Sequence, residues 1–247
     1  MKILGIIPAR YGSTRFPAKA LADINGKSMV QRVYEQTCKC NYLNDVVVAT
    51  DHVEIQQEVQ SFGGKVCMTK ANHQSGTDRC YEALLQQPES YDYVVNVQGD
   101  EPYIDPEQIS TLAKLLDGHT QLGTLIKPIN NNEDIFNPNV VKAVANISHE
   151  AIYFSRNPSP YLRNVDKSEW HNHHIYFKHI GIYAYRTDIL KQITSLSISL
   201  LEKAESLEQL RWIENGYKIM TAVTHIESKG IDTPEDLENL LNSNIIK

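Results

Sequence analysis

Ile3-Leu4-Gly5-Ile6-Ile7-Pro8-Ala9-Arg10-Tyr11-Gly12-Ser13-Thr14-Arg15-Phe16-Pro17-Ala18-Lys19 reads as a strand-like run, residues 3–8, that empties into a short basic loop. In the loop, Gly and small hydroxyl residues separate Arg10, Arg15 and Lys19, so backbone N–H groups near Ser13 and Thr14 can approach an anion. A second strand-like run, residues 93–97, ends in Gln98-Gly99-Asp100-Glu101-Pro102. Cations at one strand end and acids at another suggest a magnesium-assisted site for a nucleoside triphosphate.

Working outward, further strand patterns at 45–49 and 65–68 alternate with helix-like stretches at 28–39, 53–62 and 77–86. This βαβ rhythm argues for a parallel, doubly wound sheet whose ligands bind at the carboxyl ends of its strands, where both motif loops sit. A helix is expected over 106–116, capped by Asp105 with Pro106 in its first position. Beyond it the pattern changes. Segments 124–129, 140–147, 151–155 and 174–185 read as strands, with a loop at 157–172, which suggests an antiparallel flap or smaller lobe. Residues 200–214 read as one charged amphipathic helix and 219–225 as a further strand. Thr233 caps a final helix with Pro234, Glu235 and Asp236 in its first turn.

The chain's 247 residues, 41% hydrophobic and 22% charged, fit a sizeable α/β domain with an appended lobe. A formal charge of -6 argues against nucleic-acid binding, which needs a basic surface. Local cations can still hold an anionic ligand: one ion pair at ~4 Å is worth roughly 4 kcal/mol at an effective dielectric of ~20, while salt screens distant acids. Cys38, Cys40, Cys67 and Cys80 form no CxxC pair and no zinc-ligand spacing, which fits reduced thiols. The N-terminal apolar run, broken by Pro8 and Arg10, is too short for a signal or membrane segment, and no later run reaches spanning length. A cytoplasmic protein without membrane insertion is expected.

Two nucleotide motifs fail. Gly26-Lys27-Ser28 resembles the end of a P-loop, but Leu21 stands where that motif needs Gly, so a turn and helix cap is the better reading. Gly12 lacks the neighbouring glycines of a dinucleotide fingerprint. The resemblance that holds is carried by Ile7-Pro8-Ala9-Arg10-Tyr11-Gly12-Ser13-Thr14-Arg15, Val48-Ala49-Thr50-Asp51-His52, His73-Gln74-Ser75-Gly76-Thr77-Asp78-Arg79 and Val97-Gln98-Gly99-Asp100-Glu101-Pro102. Further segments agree in order: Tyr153-Phe154-Ser155-Arg156, residues 178–186, Leu207-Glu208-Gln209-Leu210-Arg211 and residues 231–236. Together they resemble the cytidylyltransferases that activate 3-deoxy-manno-octulosonate (Kdo), the CMP-Kdo synthetases, over nearly the whole chain.

That resemblance implies a Rossmann-like nucleotidyltransferase (GT-A-like) α/β fold with a mixed, mainly parallel sheet and a smaller strand-rich dimerisation lobe. Residues 1–122 and 187–247 would form the nucleotide-binding core, and 123–186 the sugar-binding and dimerisation lobe. It implies magnesium-dependent joining of the anomeric hydroxyl of the sugar acid Kdo to the α-phosphate of CTP with release of pyrophosphate, a homodimer, and a product, CMP-Kdo, for lipopolysaccharide or capsule. Arg10, Arg15 and Lys19 would clamp the triphosphate, beside Pro8, Ala9, Ser13 and Thr14; Arg10, Lys19 and Asp100 would be catalytic. Asp100 and Asp232 would hold magnesium as hard oxygen donors. Ser75, Gly76, Thr77 and Arg79 would lie under cytosine and ribose, although Ser75 or Thr77 also suits a helix cap.

For the sugar acid the resemblance points to Arg163 and His179 as carboxylate and hydroxyl binders, with Gln98, Tyr183, Glu208 and Gln209 for the ring hydroxyls. Tyr183 fits a core position equally well, and Glu208 and Gln209 a solvated helix face. His171, His173 and His174 read as exposed loop histidines rather than a metal cluster. Two departures from the family pattern stand out. Ala18 replaces a Gly of the first loop, restricting the backbone next to Lys19, and Ala20 follows it. The segment 158–163 also varies, which leaves an 8-amino analogue or another octulosonate as an alternative acceptor. A nucleotide-sugar glycosyltransferase is a second reading that the triphosphate clamp disfavours, and a nucleotide-binding regulatory protein without turnover a third.

Overall fold

A computed structural model of the chain describes residues 1–242. The chain divides into two compact units, Met1–Ser110 together with the chain from Ser228 onward, and Thr111–Glu227.

The first unit carries β1 (Ile3–Ala9), a hairpin of β2 (Asp23–Ile24) and β3 (Lys27–Ser28), α1 (Met29–Thr37), β4 (Asp45–Thr50), α2 (Val53–Ser61), β5 (Val66–Met68), α3 (Gly76–Leu85), β6 (Tyr93–Asn96) and α4 (Pro106–Ala113). Its strands run β6-β1-β4-β5, all parallel, as the alternating pattern predicts. Ile3, Leu4, Ile6 and Ile7 are buried, so β1 is covered on both faces. Pro8 belongs to this strand despite lacking an N–H. Val97 N–H donates to Ile6 O at 2.9 Å, so Ile6 and, two residues on, Pro8 turn their backbone polar groups toward β6. β6 ends at Asn96, and no ladder bond is lost.

The helices start where capping chemistry places them. The Ser28 hydroxyl accepts Gln31 N–H at 3.3 Å, and Gly26 takes φ 78° in the preceding turn, so Gly26-Lys27-Ser28 is a turn and cap. Asp105 accepts Glu107 N–H at 2.8 Å at the start of α4. At the C-terminal helix (Pro234–Asn242), Thr233 Oγ1 accepts Asp236 N–H at 3.2 Å while Asp236 accepts Thr233 N–H at 2.9 Å.

The second unit carries β7 (Leu122–Ile129), α5 (Asn132–Phe136), β8 (Lys142–Ala145), β9 (Ala151–Ser155), α6 (Trp170–His173), β10 (Tyr176–Arg186), α7 (Thr187–Ile193), α8 (Leu200–Glu205), α9 (Glu208–Glu214) and β11 (Ile219–Val223). The strands run β11-β7-β10-β8-β9, antiparallel except for the β11–β7 pair. Two expectations need correction here. Segments 124–185 are less purely stranded than they read, because α5 and α6 punctuate them; Trp170 of α6 closes a cluster with Ile129, Ile135 and Tyr176. The single helix over 200–214 is two helices. Ser206 takes φ 54°, which ends α8, and Arg211 reaches back with a two-pronged ion pair, 2.6 and 2.7 Å, to buried Glu202. Charge periodicity alone does not reveal that break.

Lys142 on β8 is fully buried, and its ammonium donates to the carbonyls of Asn137 and Val140 at 2.8 and 2.5 Å. Burial, with the Arg156 charge adding to it, pushes its pKa from 10.5 down to about 8. A base depressed in the folded state binds fewer protons than the unfolded chain between those two values, so stability rises with pH across that window. Urea unfolding at pH 7.5 and pH 10 is therefore expected to show wild type gaining about 2 kcal/mol relative to Lys142→Met. An equal pH response in both proteins contradicts this.

Candidate active site

The carboxyl ends of β1 and β6, the first turn of α3 and the start of the C-terminal helix meet in one cavity of about 370 Å³ within the first unit. After β1 the chain folds back on itself: Ala18 N–H donates to Tyr11 O at 3.0 Å, and Lys19–Leu21 form a 3-10 turn. Ser13 N–H also donates to Tyr11 O, at 2.9 Å, so that donor is used inside the loop and is not available to an anion. Ala18 is left-handed, φ 54° and ψ 26°, where an L-residue with a Cβ costs about 1 kcal/mol. Ala18→Gly is expected to raise Tm by about 2–4 °C. A lower Tm in a thermal scan would show that the loop does not need this conformation.

The acidic side is as tightly placed. A Cβ at Gly99 would lie 2.6 Å from Pro8 O, so only glycine lets the β6 loop approach the end of β1. Asp100 follows, and its carbonyl accepts Ile231 N–H at 2.9 Å, which holds residue 232 alongside. Asp232 N–H in turn donates to Asp236 at 3.0 Å and, as the largest cause, holds that carboxyl below its usual range. Residues remote in sequence thus converge. Lys19 Nζ donates to Asp100 Oδ2 at 2.7 Å and Asp232 Oδ1 at 3.3 Å, and Arg15 reaches Asp232 Oδ1 at 3.0 Å. The Lys19 side chain is 15% exposed and that of Asp100 31%, while Arg15 is 65% exposed and its pair is weak. Arg10 is exposed, with no partner among the described residues.

The cavity also takes in Pro8, Ala9, Ser13 and Thr14 on the loop side, Ser75, Gly76 and Arg79 from α3, and Gln98. Thr77 is buried and does not line it. Ser75 caps α3 in a reciprocal box, accepting Asp78 N–H at 3.2 Å while Asp78 accepts Ser75 N–H at 3.3 Å. Ala20, His73, Gln74 and Gly99 line the cavity too, without having been singled out as site residues. His73 and Gln74 stood inside a quoted motif, and His73 is oriented by a hydrogen bond to Glu82. Burial pushes the Glu82 carboxyl up, but the His73 and Lys70 N–H bonds together outweigh that and leave it lowered.

The remaining sugar candidates lie in the second unit. Arg163 is exposed, Tyr183 and Gln209 are buried, and Glu208 is half-buried. The solvated-face reading therefore fails for Gln209, which α9 turns inward beside Leu210 and Trp212. A bulge in β10 between Ile180 and Tyr183 is stitched by Thr124 Oγ1, which donates to Ile182 O at 2.8 Å and meets His179 Nε2 at 3.0 Å. Burial holds the His179 imidazolium down to about 3, so the ring is neutral at physiological pH. Its ring lies 5.2 Å from that of Tyr183, whose hydroxyl is buried and finds no hydrogen-bond partner among the described residues. His173 and His174 are exposed and His171 half-buried. Among the described residues no three His, Cys, Asp or Glu side chains form a metal cluster, and no helix is long and apolar enough to cross a membrane.

Residues 4–219 match the family model described as cytidylyltransferase. The chain is 56% identical to 3-deoxy-manno-octulosonate cytidylyltransferase of Parabacteroides distasonis, covering 98% of this chain and 97% of that one. It is 58% identical to the enzyme of the same name from Cytophaga hutchinsonii, covering 96% and 95%. Among solved structures it is similar to CMP:2-keto-3-deoxy-manno-octonic acid synthetase complexed with CTP, at TM-score 0.90 and 42% identity over 98% of this chain and 97% of that one. The mixed α/β, mainly parallel, Rossmann-like nucleotidyltransferase fold is thereby shown.

Proposed function

The chain belongs to the cytidylyltransferase family, and from that premise we propose that it transfers CMP from CTP to the anomeric hydroxyl of Kdo, giving CMP-Kdo and pyrophosphate. The observation that carries the chemistry is the junction of Lys19, Asp100 and Asp232 in a cavity lined by the β1 loop and the first turn of α3.

The hydroxyl oxygen of the sugar forms a bond to the α-phosphorus, the bond from that phosphorus to the bridging oxygen breaks, and pyrophosphate carries away the electron pair. Such a reaction is catalysed by alignment and charge stabilisation. Arg10, Arg15 and Lys19 hold the triphosphate oxygens, and Lys19, anchored by two carboxylates, places its charge with little loss of side-chain freedom. The hydroxyl proton passes to solvent, and no side-chain base is required.

Asp100 and Asp232, drawn together by the Lys19 ammonium at 2.7 and 3.3 Å, are hard oxygen donors of the kind magnesium takes, one or two to an ion whose shell phosphate oxygens and water complete. Asp100 and Asp232 would hold it, and it would supply charge neutralisation at the α-phosphate and a lowered pKa for the acceptor hydroxyl. Toward the sugar acid, Arg163 is the cation for the carboxylate. In the same unit neutral His179, Tyr183, Glu208 and Gln209 are the candidates for the hydroxyls, and in the first unit Gln98, which lines the cavity, is another.

A homodimer formed through the strand-rich lobe, residues 123–186, agrees with the exposed Ile147, Ile152 and Ile175 there. A cytoplasmic location and a product destined for lipopolysaccharide or capsule complete the proposal. Pyrophosphate release from CTP with Kdo, its 8-amino analogue and other ulosonic acids, with and without magnesium, tests it. Release is expected to be fastest with Kdo and to stop on chelation. Faster release with another acid reassigns the acceptor, and full activity in chelator removes the metal.

A further inference from the structure

Asp51, at the end of β4, does not line the cavity, yet its carboxylate is bonded to two segments that do. Oδ1 accepts the backbone N–H of Tyr11 at 3.2 Å, in the loop between Arg10 and Ser13. Oδ2 accepts Arg79 Nη2 at 3.1 Å, on the helix whose first turn contributes Ser75 and Gly76. Both side chains are desolvated, Asp51 12% and Arg79 4% exposed, so the pair is weakly screened. The other prong of Arg79 is fixed as well: Nη1 donates to Thr69 Oγ1 at 2.6 Å, and Thr69 Oγ1 donates to Thr50 O at 3.1 Å. The neighbouring His52 adds a second hold on the loop, its ring stacked on that of Tyr11 with centroids 3.7 Å apart and 20° between planes.

We propose that Asp51 is the positioning residue of the nucleotide site, its two oxygens joining the triphosphate loop to the helix that bears Arg79 so that both present one ready-made cleft to CTP. This rests on CTP occupying that cavity. Asp51 touches neither phosphate nor base. Its effect is preorganisation, lowering the ordering cost that a loose loop would impose on each binding event. Carboxylate chemistry is specific to the task, since both partners are donors. An asparagine offers one oxygen and turns an amide NH2 toward the other donor, leaving either Tyr11 N–H or the buried guanidinium without an acceptor.

The test is steady-state kinetics and calorimetric CTP binding on the full-length protein, comparing wild type, Asp51→Asn and Thr69→Val. Thr69→Val removes the other acceptor of Arg79 without touching Tyr11. Asp51→Asn is expected to raise both KM and Kd for CTP about 10-fold or more, with KM for the sugar acid unchanged within about twofold. Thr69→Val is expected to change KM for CTP by less than about threefold. Three outcomes overturn the proposal: unchanged CTP affinity in Asp51→Asn, equal rises in both substrate KM values, or an equal CTP effect in Thr69→Val. If Asp51→Asn does not fold, Asp51→Glu keeps the charge but moves the oxygens by one methylene. It should show the same CTP-selective loss, and unchanged CTP affinity there overturns the link. Failure of wild type itself to bind CTP overturns the nucleotide reading and this proposal with it, whereas normal wild-type binding with an unaffected variant overturns this proposal alone.

Discussion

Asp100→Asn is expected to lower turnover with CTP and Kdo by about 10²–10³-fold while leaving the far-UV spectrum and Tm close to wild type. The substitution keeps the shape of the side chain and one oxygen toward Lys19, which also retains Asp232 at 3.3 Å, so the fold loses little. What disappears is a negative charge at the place where a divalent cation and the α-phosphate are proposed to meet. Removing it weakens a hard oxygen ligand that the triphosphate and water cannot fully replace. KM for CTP should rise less than kcat falls, because the charge acts most strongly where negative charge builds up at phosphorus. Turnover within about threefold of wild type would refute a metal-holding role for Asp100.

Lys19→Met should lower kcat/KM for CTP by about 10²–10³-fold, with a smaller effect on KM for the sugar acid. Methionine preserves most of the apolar stem, but the cation goes. Asp100 and Asp232 then face one another without the ammonium 2.7 and 3.3 Å away, and an incoming triphosphate meets two uncompensated acids. One charge pair at ~4 Å contributes roughly 4 kcal/mol at an effective dielectric of ~20, enough for such a loss even after partial screening. Arg15→Ala provides the contrast. Its side chain is 65% exposed and, among the described residues, pairs with Asp232 alone, so a drop below about 10-fold is expected. Equal losses in the two variants would mean that net charge of the loop matters and its geometry does not.

The parallel half of the fold was legible because its physics is local. β1, β4, β5 and β6 are apolar runs bounded by turn residues, and Ser28, Asp105 and Thr233 announce their helices by side-chain chemistry that needs no tertiary partner. The break at Ser206 was not legible, because nothing in a charged stretch marks Ser206 for a left-handed backbone or sets Glu202 and Arg211 apart as a buried pair. In the site, the cations and acids could be named individually. Their meeting point could not be derived from spacing: Asp232 reaches Lys19 through a backbone bond from Ile231 to Asp100, a contact across more than a hundred residues. Ala18 was legible as an anomaly, and its left-handed backbone bears that out. Asp51 stood in a quoted motif without a role, since its importance lies in what it joins and not in what it faces.

Phosphorus resonances of CTP mixed with the protein, Kdo and magnesium report the proposed transfer itself. The prediction is matched appearance of pyrophosphate and a single CMP phosphodiester signal, dependent on Kdo and abolished by Asp100→Asn. Release of orthophosphate, or of pyrophosphate at the same rate without Kdo, would contradict it.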